Sequence, residues 1–313
     1  MSFSTNVLER RFSPSSIAQF QTCPRSFFWK YIVKMYPTGS FPALSFGKAL
    51  HEGLAVWNKN GGDSIGATQA AVLAWEREAL AGEAGRDLQS LLVSLGTYFA
   101  TYKPDGLPPD RIEVKFEVPM PDGATTLIGI IDRMAMEPQP TIIDTKTTKS
   151  SLTGDWFWSR YENSFALLAY LYAASSLTGV EHEAICLDAV RTPTKSEADL
   201  QRRTFLATER QRLEFLASYE ECVEQILEAT VPLFSSLPSS PLKPYSPPPG
   251  LHQSFFASSL LPEELELVKK AFACNHHSCS DYGGCPYLQV CKYGGNRAMM
   301  EDYKIKERNV END

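Results

Sequence analysis

Apolar residues recur at helical spacing through the first hundred positions; from about residue 112 they alternate with polar ones. Ile17, Phe20, Phe27, Phe28 and Tyr31 follow Ser13-Pro14-Ser15, which predicts a helix starting there. A second helix is expected over about 43–59, carrying Leu50, His51, Leu54 and Trp57. A third helical stretch is expected over about 64–102, broken near Gly82 and Gly85. Val114, Phe116 and Val118 then alternate with Glu113, Lys115 and Glu117, as in a half-buried strand. Pro121-Asp122-Gly123 and Pro138-Gln139-Pro140 are turn sequences, so strands over about 126–136 and 141–147 complete a three-stranded meander.

The run 165–174 is apolar on every side and reads as a buried helix packed on the sheet. Strands over about 182–191 and 203–207 follow, then an amphipathic helix over about 209–227. The expected class is α/β, a mixed α+β sheet flanked by helices. Seven prolines with several serines between Pro232 and Pro249 suit an extended connector. The pattern divides into a helical region (1–110) carrying Cys23 and His51, a core (111–230), the connector (231–261) and a cysteine-bearing segment (262–313). Together these are expected to make one composite domain.

Composition adds little to this picture. With 313 residues, 43% hydrophobic and 21% charged, the chain has the make-up of a soluble globular protein with a substantial core. No run reaches the roughly 18 apolar residues of a membrane span, and the first residues lack an apolar signal core. Seven cysteines, an odd number in a chain without an export signal, argue against a disulfide framework and for a reducing cytoplasm, where clustered thiols hold metal. A net charge of −7 weighs mildly against nucleic acid as partner. A carboxylate-rich metal site would itself contribute that charge, and local patches decide DNA contact.

Chemistry concentrates in two places. In Ile142-Ile143-Asp144-Thr145-Lys146-Thr147, Asp144 and Lys146 share a strand face, while Thr145 turns away and leaves its carbonyl available. Asp132 ends the apolar run Ile128-Gly129-Ile130-Ile131, and a hairpin would bring it to Asp144. Two carboxylates, a carbonyl and water form a hard oxygen site for Mg2+ or Mn2+. Taken alone, an Asp-x-Lys triplet is most often a solvated strand face, and Asp132 could simply cap a turn. Secondly, Cys279, Cys285 and Cys291 stand at even spacing, each pair enclosing five residues. A fourth thiol could be the nearby Cys274, giving a local zinc-type site, or the distant Cys23 in Thr22-Cys23-Pro24-Arg25. Four thiolates suit zinc or an iron-sulfur cluster, and spacing does not choose. Cys186, on an apolar strand, and Cys222, on a helix, read as core residues.

Taken in order, Ser13-x-x-x-Ile17-x-x-Phe20-x-x-Cys23-Pro-Arg, Gly47-x-x-x-His51, Gly129-Ile-Ile-Asp132-Arg, Ile143-Asp144-Thr-Lys146-Thr and Cys285-Pro-Tyr-x-x-x-Cys291 resemble the RecB-like branch of the PD-(D/E)xK nucleases. The resemblance is to members with an iron-sulfur cluster: CRISPR-associated adaptation exonucleases, AddB-type nuclease domains and phage homologues. It implies a restriction-endonuclease-like core with a C-terminal iron-sulfur segment. It further implies that His51, Asp132, Asp144 and the Thr145 carbonyl bind Mg2+ or Mn2+, with Asp132, Asp144 and Lys146 as the catalytic set. Cys23, Cys279, Cys285 and Cys291 would hold a [4Fe-4S] cluster that latches the two ends of the chain together. Relatives carry Gln-x-x-x-Tyr on the following helix; here Tyr170 is present but Ala166 replaces the glutamine.

The expected activity is a metal-dependent deoxyribonuclease, exonuclease-like, on single-stranded DNA or free ends. A helicase or another recombination or adaptation protein is the expected partner, with no membrane association. Lys146, Lys149, Arg160, Arg191 and Lys195 could follow a phosphate backbone, and Trp156 and Trp158 could stack on bases or pack in the core. The missing glutamine motivates an alternative, a weakly or non-catalytic DNA-binding module of the same fold. A zinc-stapled structural protein is a third reading.

Overall fold

The computed structural model describes residues 9–38, 41–78, 85–193, 198–236, 268–280, 284–293 and 303–305; for 78, 231–236, 293, 304 and 305 it describes the backbone alone. Strand β1 (Arg11–Phe12), helices α1 (Pro14–Thr22) and α2 (Pro24–Phe27), a π-helical turn (Phe28–Ile32) and β2 (Met35–Pro37) come first. Three helices follow: α3 (Pro42–Lys59), α4 (Ser64–Glu78) and α5 (Leu88–Thr101). Next come β3 (Ile112–Pro119), β4 (Thr126–Ala135) and β5 (Thr141–Thr148), then α6 (Trp156–Glu162) and α7 (Phe165–Thr178). After β6 (Ala184–Arg191), β7 (Asp199–Leu206) and α8 (Glu209–Ser236), the described chain ends with α9 (Leu288–Tyr293) and β8 (Tyr303–Ile305).

These elements form two compact units, one made of Ser40–Val118 and Ile128–Phe215, the other of Met1–Gly39, Pro119–Leu127 and Leu216–Asp313. In the first, β3 pairs with β4, and β4 runs antiparallel to β5 with Arg133 opposite Ile143. Strand β5 then runs parallel to β6 over its whole length, and β6 antiparallel to β7. A parallel pair needs a long crossover, which α6 and α7 supply. Helix α7 packs on β5 and β6 through an apolar surface that includes Leu167, Leu168 and Leu171. Helix α3 lies against β5 and joins α4 and α5 in a core of Phe46, Leu50, Leu54, Trp57, Leu91 and Tyr98. The mixed sheet flanked by helices is thus the architecture the pattern predicts.

The second unit draws together chain segments far apart in sequence. Ser13 caps α1 by accepting a hydrogen bond from the Ser16 N–H, and the Ser16 hydroxyl accepts one from the Ser13 N–H in return. Phe27 stacks on Phe272 and Phe28 lies tilted against it, the Arg25 guanidinium donates to the Phe272 carbonyl at 2.7 Å, and the Tyr287 hydroxyl donates to the Met35 carbonyl. Strand β2 pairs with β8, Met35 opposite Ile305, and β1 runs parallel to the first residues of β4.

Two expectations need correction. Strand β7 begins at Asp199, not near 203, because its polar residues Gln201 and Arg202 are held in the β6 ladder against Ala189 and Asp188. Helix α8 runs on to Ser236, into the stretch read as connector. A proline weakens a helix without always ending it, and the backbone stays helical through Pro232. The rest of the connector lies outside the described residues.

Candidate functional site

Alternation along β4 and β5 sets up the first site. With Arg133 opposite Ile143, the next step along the antiparallel ladder puts Asp132 beside Asp144, on the face opposite Arg133. The Thr145 N–H donates to Asp132 Oδ2 at 2.8 Å. His51, from α3, reaches the same place: its Nδ1 is 3.3 Å from Asp132 Oδ2 and its Nε2 is 3.0 Å from the Thr145 carbonyl oxygen. Lys146 Nζ lies 2.5 Å from Asp144 Oδ2, an ion pair whose geometry leaves that buried oxygen without an aligned hydrogen bond. His51, Asp132, Asp144, Thr145 and Lys146, all singled out in the sequence, therefore converge.

A further residue joins them. His51, Glu113 and Asp132 each offer a ligand atom, and all these atoms lie within 4.8 Å of one another. Glu113 is the second residue of β3, where its φ of +56° is a left-handed conformation uncommon for a residue with a side chain. Alternation assigns Glu113 to the solvated face with Lys115 and Glu117. The left-handed backbone changes the phase at the strand's start, and no sequence signal announces it.

Electrostatics follow from enclosure. Burial alone would strip the charge from His51, but Asp132 overrides it and raises the imidazole pKa to about 9. Burial works against the Asp132 charge too, and His51, then Lys146, hold that carboxyl well below the ordinary range. Burial and then Asp132 push Glu113 up to about 7. Burial raises Asp144 against the pull of Lys146, while Asp144 and Asp132 keep the half-buried Lys146 ammonium charged. Tyr170, on α7, is pushed up to about 12 by burial, feels Lys146 and Asp144, and leans edge-on against Phe116. It lines the site, while Ala166 one turn earlier brings no polar group to it. An imidazole nitrogen beside clustered carboxylate oxygens is a donor set that fits a divalent cation.

The second group of residues is the thiols, all of them free. Cys274 Sγ and Cys279 Sγ are 3.9 Å apart, and His276 offers a ligand atom within 4.8 Å of both. Burial and then Cys23 push Cys274 up to about 12, and Cys279 and Cys291 add to the effect. Burial raises Cys285, with Cys23 and Cys279 contributing, and takes Cys291 to about 11, with Cys285 and Cys23 contributing. Five thiols thus share one neighbourhood, including both candidates for the fourth position. Burial would raise Cys23 as well, but its sulfur accepts from the Asn275 N–H at 3.4 Å and from neighbouring donors, which lower its pKa. Such a donor set fits zinc or an iron-sulfur cluster.

The other expected residues divide. Trp158 is wholly buried, its Nε1 donating to the Leu152 carbonyl, whereas Trp156 is 63% exposed with the Arg160 guanidinium 5.3 Å from its ring centre. Lys149 and Arg160 are exposed, Arg191 is half-buried, and Lys195 lies outside the described residues. Cys222 is buried, and Cys186 is half-buried on β6. Among the described residues no helix is long and apolar enough to cross a membrane.

Residues 11–240 match the profile described as the PD-(D/E)XK nuclease superfamily. Among solved structures, a protein from Eubacterium rectale described as a "Putative exonuclease" is similar at 15% identity, over 72% of this chain and 82% of that one, with a TM-score of 0.45. The structure of SSO0001 is similar at 13% identity, over 75% of this chain and 88% of that one, with a TM-score of 0.32. No curated protein matches the sequence. The profile covers well over half of the 313 residues, and the chain belongs to the PD-(D/E)XK nuclease superfamily.

Proposed function

We propose that the protein is a Mg2+- or Mn2+-dependent deoxyribonuclease that hydrolyses phosphodiesters, as an exonuclease on single-stranded DNA or free ends. The observation that carries this reading is the close grouping of His51, Glu113 and Asp132 ligand atoms beside the Asp144–Lys146 pair. His51, Glu113, Asp132, Asp144 and the Thr145 carbonyl are the groups that would hold a divalent ion. Bound there, the ion would polarise the phosphodiester and activate water. Lys146, kept charged by Asp144, is placed to neutralise charge that develops on the phosphate. End-labelled single- and double-stranded DNA incubated with Mg2+ or Mn2+ tests the reading. Wild-type protein is expected to shorten single strands from an end, and Asp144→Asn and Lys146→Ala to lose at least about a hundredfold in rate, as expected for loss of transition-state charge stabilisation. Equal rates in wild type and Asp144→Asn would leave only a DNA-binding module.

For the thiols we infer a structural [4Fe-4S] cluster on Cys23, Cys279, Cys285 and Cys291. One distance favours a second reading. The 3.9 Å between Cys274 and Cys279 is close to the edge of about 3.8 Å that tetrahedral zinc with bonds of about 2.3 Å would give, and His276 stands beside them. Anaerobic purification separates the two: a brown protein with iron and sulfide supports the cluster, and a colourless one with stoichiometric zinc refutes it.

A further inference from the structure

We propose that the buried ion cluster on the far side of β4 and β5 sets the metal affinity of the candidate site, acting through the Thr145 hydroxyl. The inference rests on the metal-dependent reading above. Asp132 and Arg133 are sequence neighbours on opposite faces of β4. Arg133 Nη2 donates to Thr145 Oγ1 at 2.8 Å and to Asp188 Oδ2 at 3.0 Å, while its Nη1 pairs with Asp105. Arg202 closes the group, with Nη2 at 3.0 Å from the same Asp188 oxygen and 2.7 Å from the Tyr98 hydroxyl, and Nη1 at 3.1 Å from Asp105. The Tyr98 hydroxyl in turn donates to Asp188. Two guanidinium groups and two carboxylates make the cluster neutral, and Asp188 and Arg133 are 0% and 3% exposed.

Thr145 is where this cluster meets the site. Its hydroxyl belongs to the cluster, its N–H holds Asp132, and its carbonyl faces His51. A β-branched side chain has few χ1 rotamers, so fixing the hydroxyl fixes the residue, and with it the peptide groups on either side. Any tilt of Thr145 would move two candidate ligands at once. A buried ion cluster adds little net stability over an apolar core of the same shape, so its value here lies in fixing orientation. Arg133 and Thr145 Oγ1 are therefore positioning groups, neither of which touches a substrate or an ion.

The test uses the full chain, with Mn2+ as probe, read by the electron paramagnetic resonance of free Mn2+ and alongside thermal melting. Thr145→Val removes the hydroxyl and keeps the backbone and the shape. It is expected to weaken Mn2+ binding by roughly tenfold, as loss of an outer-shell partner does. Thr145→Ser, which keeps the acceptor, should stay within about twofold of wild type, inside the scatter of a lost weak contact. Arg133→Lys keeps the charge but cannot serve Thr145 and Asp188 together, and it too should weaken binding about tenfold. If Thr145→Val does not fold, Arg133→Lys carries the test. Unchanged Mn2+ affinity in both folded variants, even with lowered melting temperatures, overturns the positioning role. Wild-type binding that survives Asp132→Asn would instead overturn the metal reading beneath it.

Discussion

Metal binding should expel a proton from His51. Both ring nitrogens of that histidine face acceptors, Nδ1 the Asp132 carboxylate and Nε2 the Thr145 carbonyl, an arrangement that suits an imidazolium with two N–H groups. With its pKa at about 9, His51 is almost entirely protonated at pH 7 in the metal-free protein. A cation can be ligated only by the neutral ring. Removing the proton at pH 7 costs two pH units, about 2.7 kcal/mol, so affinity for Mg2+ should rise about tenfold per pH unit from 7 and level off above 9. Calorimetry at pH 8, where Glu113 is already mostly ionised, run in buffers of different ionisation enthalpy, should count about one proton released per Mg2+ bound. At pH 10 the count should fall toward zero, and at pH 8 it should be well below the wild-type value in His51→Gln. An affinity that stays flat between pH 7 and 9, or no buffer dependence of the heat, would refute the assignment of His51 as a charged partner that the ion displaces.

Four further outcomes are expected. Without metal, the raised pKa of His51 stabilises the fold fully below pH 6.5, and that contribution is lost as pH rises through about 9; the unfolding free energy of the chelated protein, from urea titration, should fall across this window by at most about 3 kcal/mol. Gly129→Ala would put a methyl group 2.7 Å from Phe116 Cζ, so it should destabilise by about 1–3 kcal/mol, and Phe116→Leu in the same chain should recover part of the loss in denaturant titration. Asp188→Asn leaves Arg133 and Arg202 to share Asp105; a loss of about 3–5 kcal/mol is expected by the same titration, and one under about 1 kcal/mol would show the cluster does not hold the fold. Cys23→Ala should abolish iron content by elemental analysis, whereas Cys222→Ala, at a buried helix position outside the group, should retain it.

Much of this was legible because strand periodicity and turn residues act locally. The meander of β3, β4 and β5, the pairing of Asp132 with Asp144 and the outward turn of the Thr145 carbonyl all follow from alternation plus two short turns. The Asp105–Arg133–Asp188–Arg202 cluster was not legible. Its members lie up to 97 residues apart, and in sequence each reads as an ordinary charge on a strand or loop. Glu113 escaped for a different reason, because a single left-handed residue alters which face a strand presents. Cys274 was legible as a thiol near Cys279, but His276 carried no motif of its own, and its place beside both appears only in the folded chain.

The discontinuity of the unit holding the thiols also constrains the order in which the protein can be finished. Cys23 and the Asn275 N–H that its sulfur accepts are 252 positions apart. At roughly 5–20 residues per second, a ribosome takes on the order of 10–50 s to travel between them. Through that interval Cys23 lacks the donor from the later segment that favours its thiolate, and Ser40–Val118 and Ile128–Phe215 are completed before that donor is made. Any ion held by both Cys23 and the later thiols would therefore wait for the last segment, and an elongation pause or truncation before residue 274 would yield a chain with both segments of the first unit and Cys23 without its later thiol neighbours.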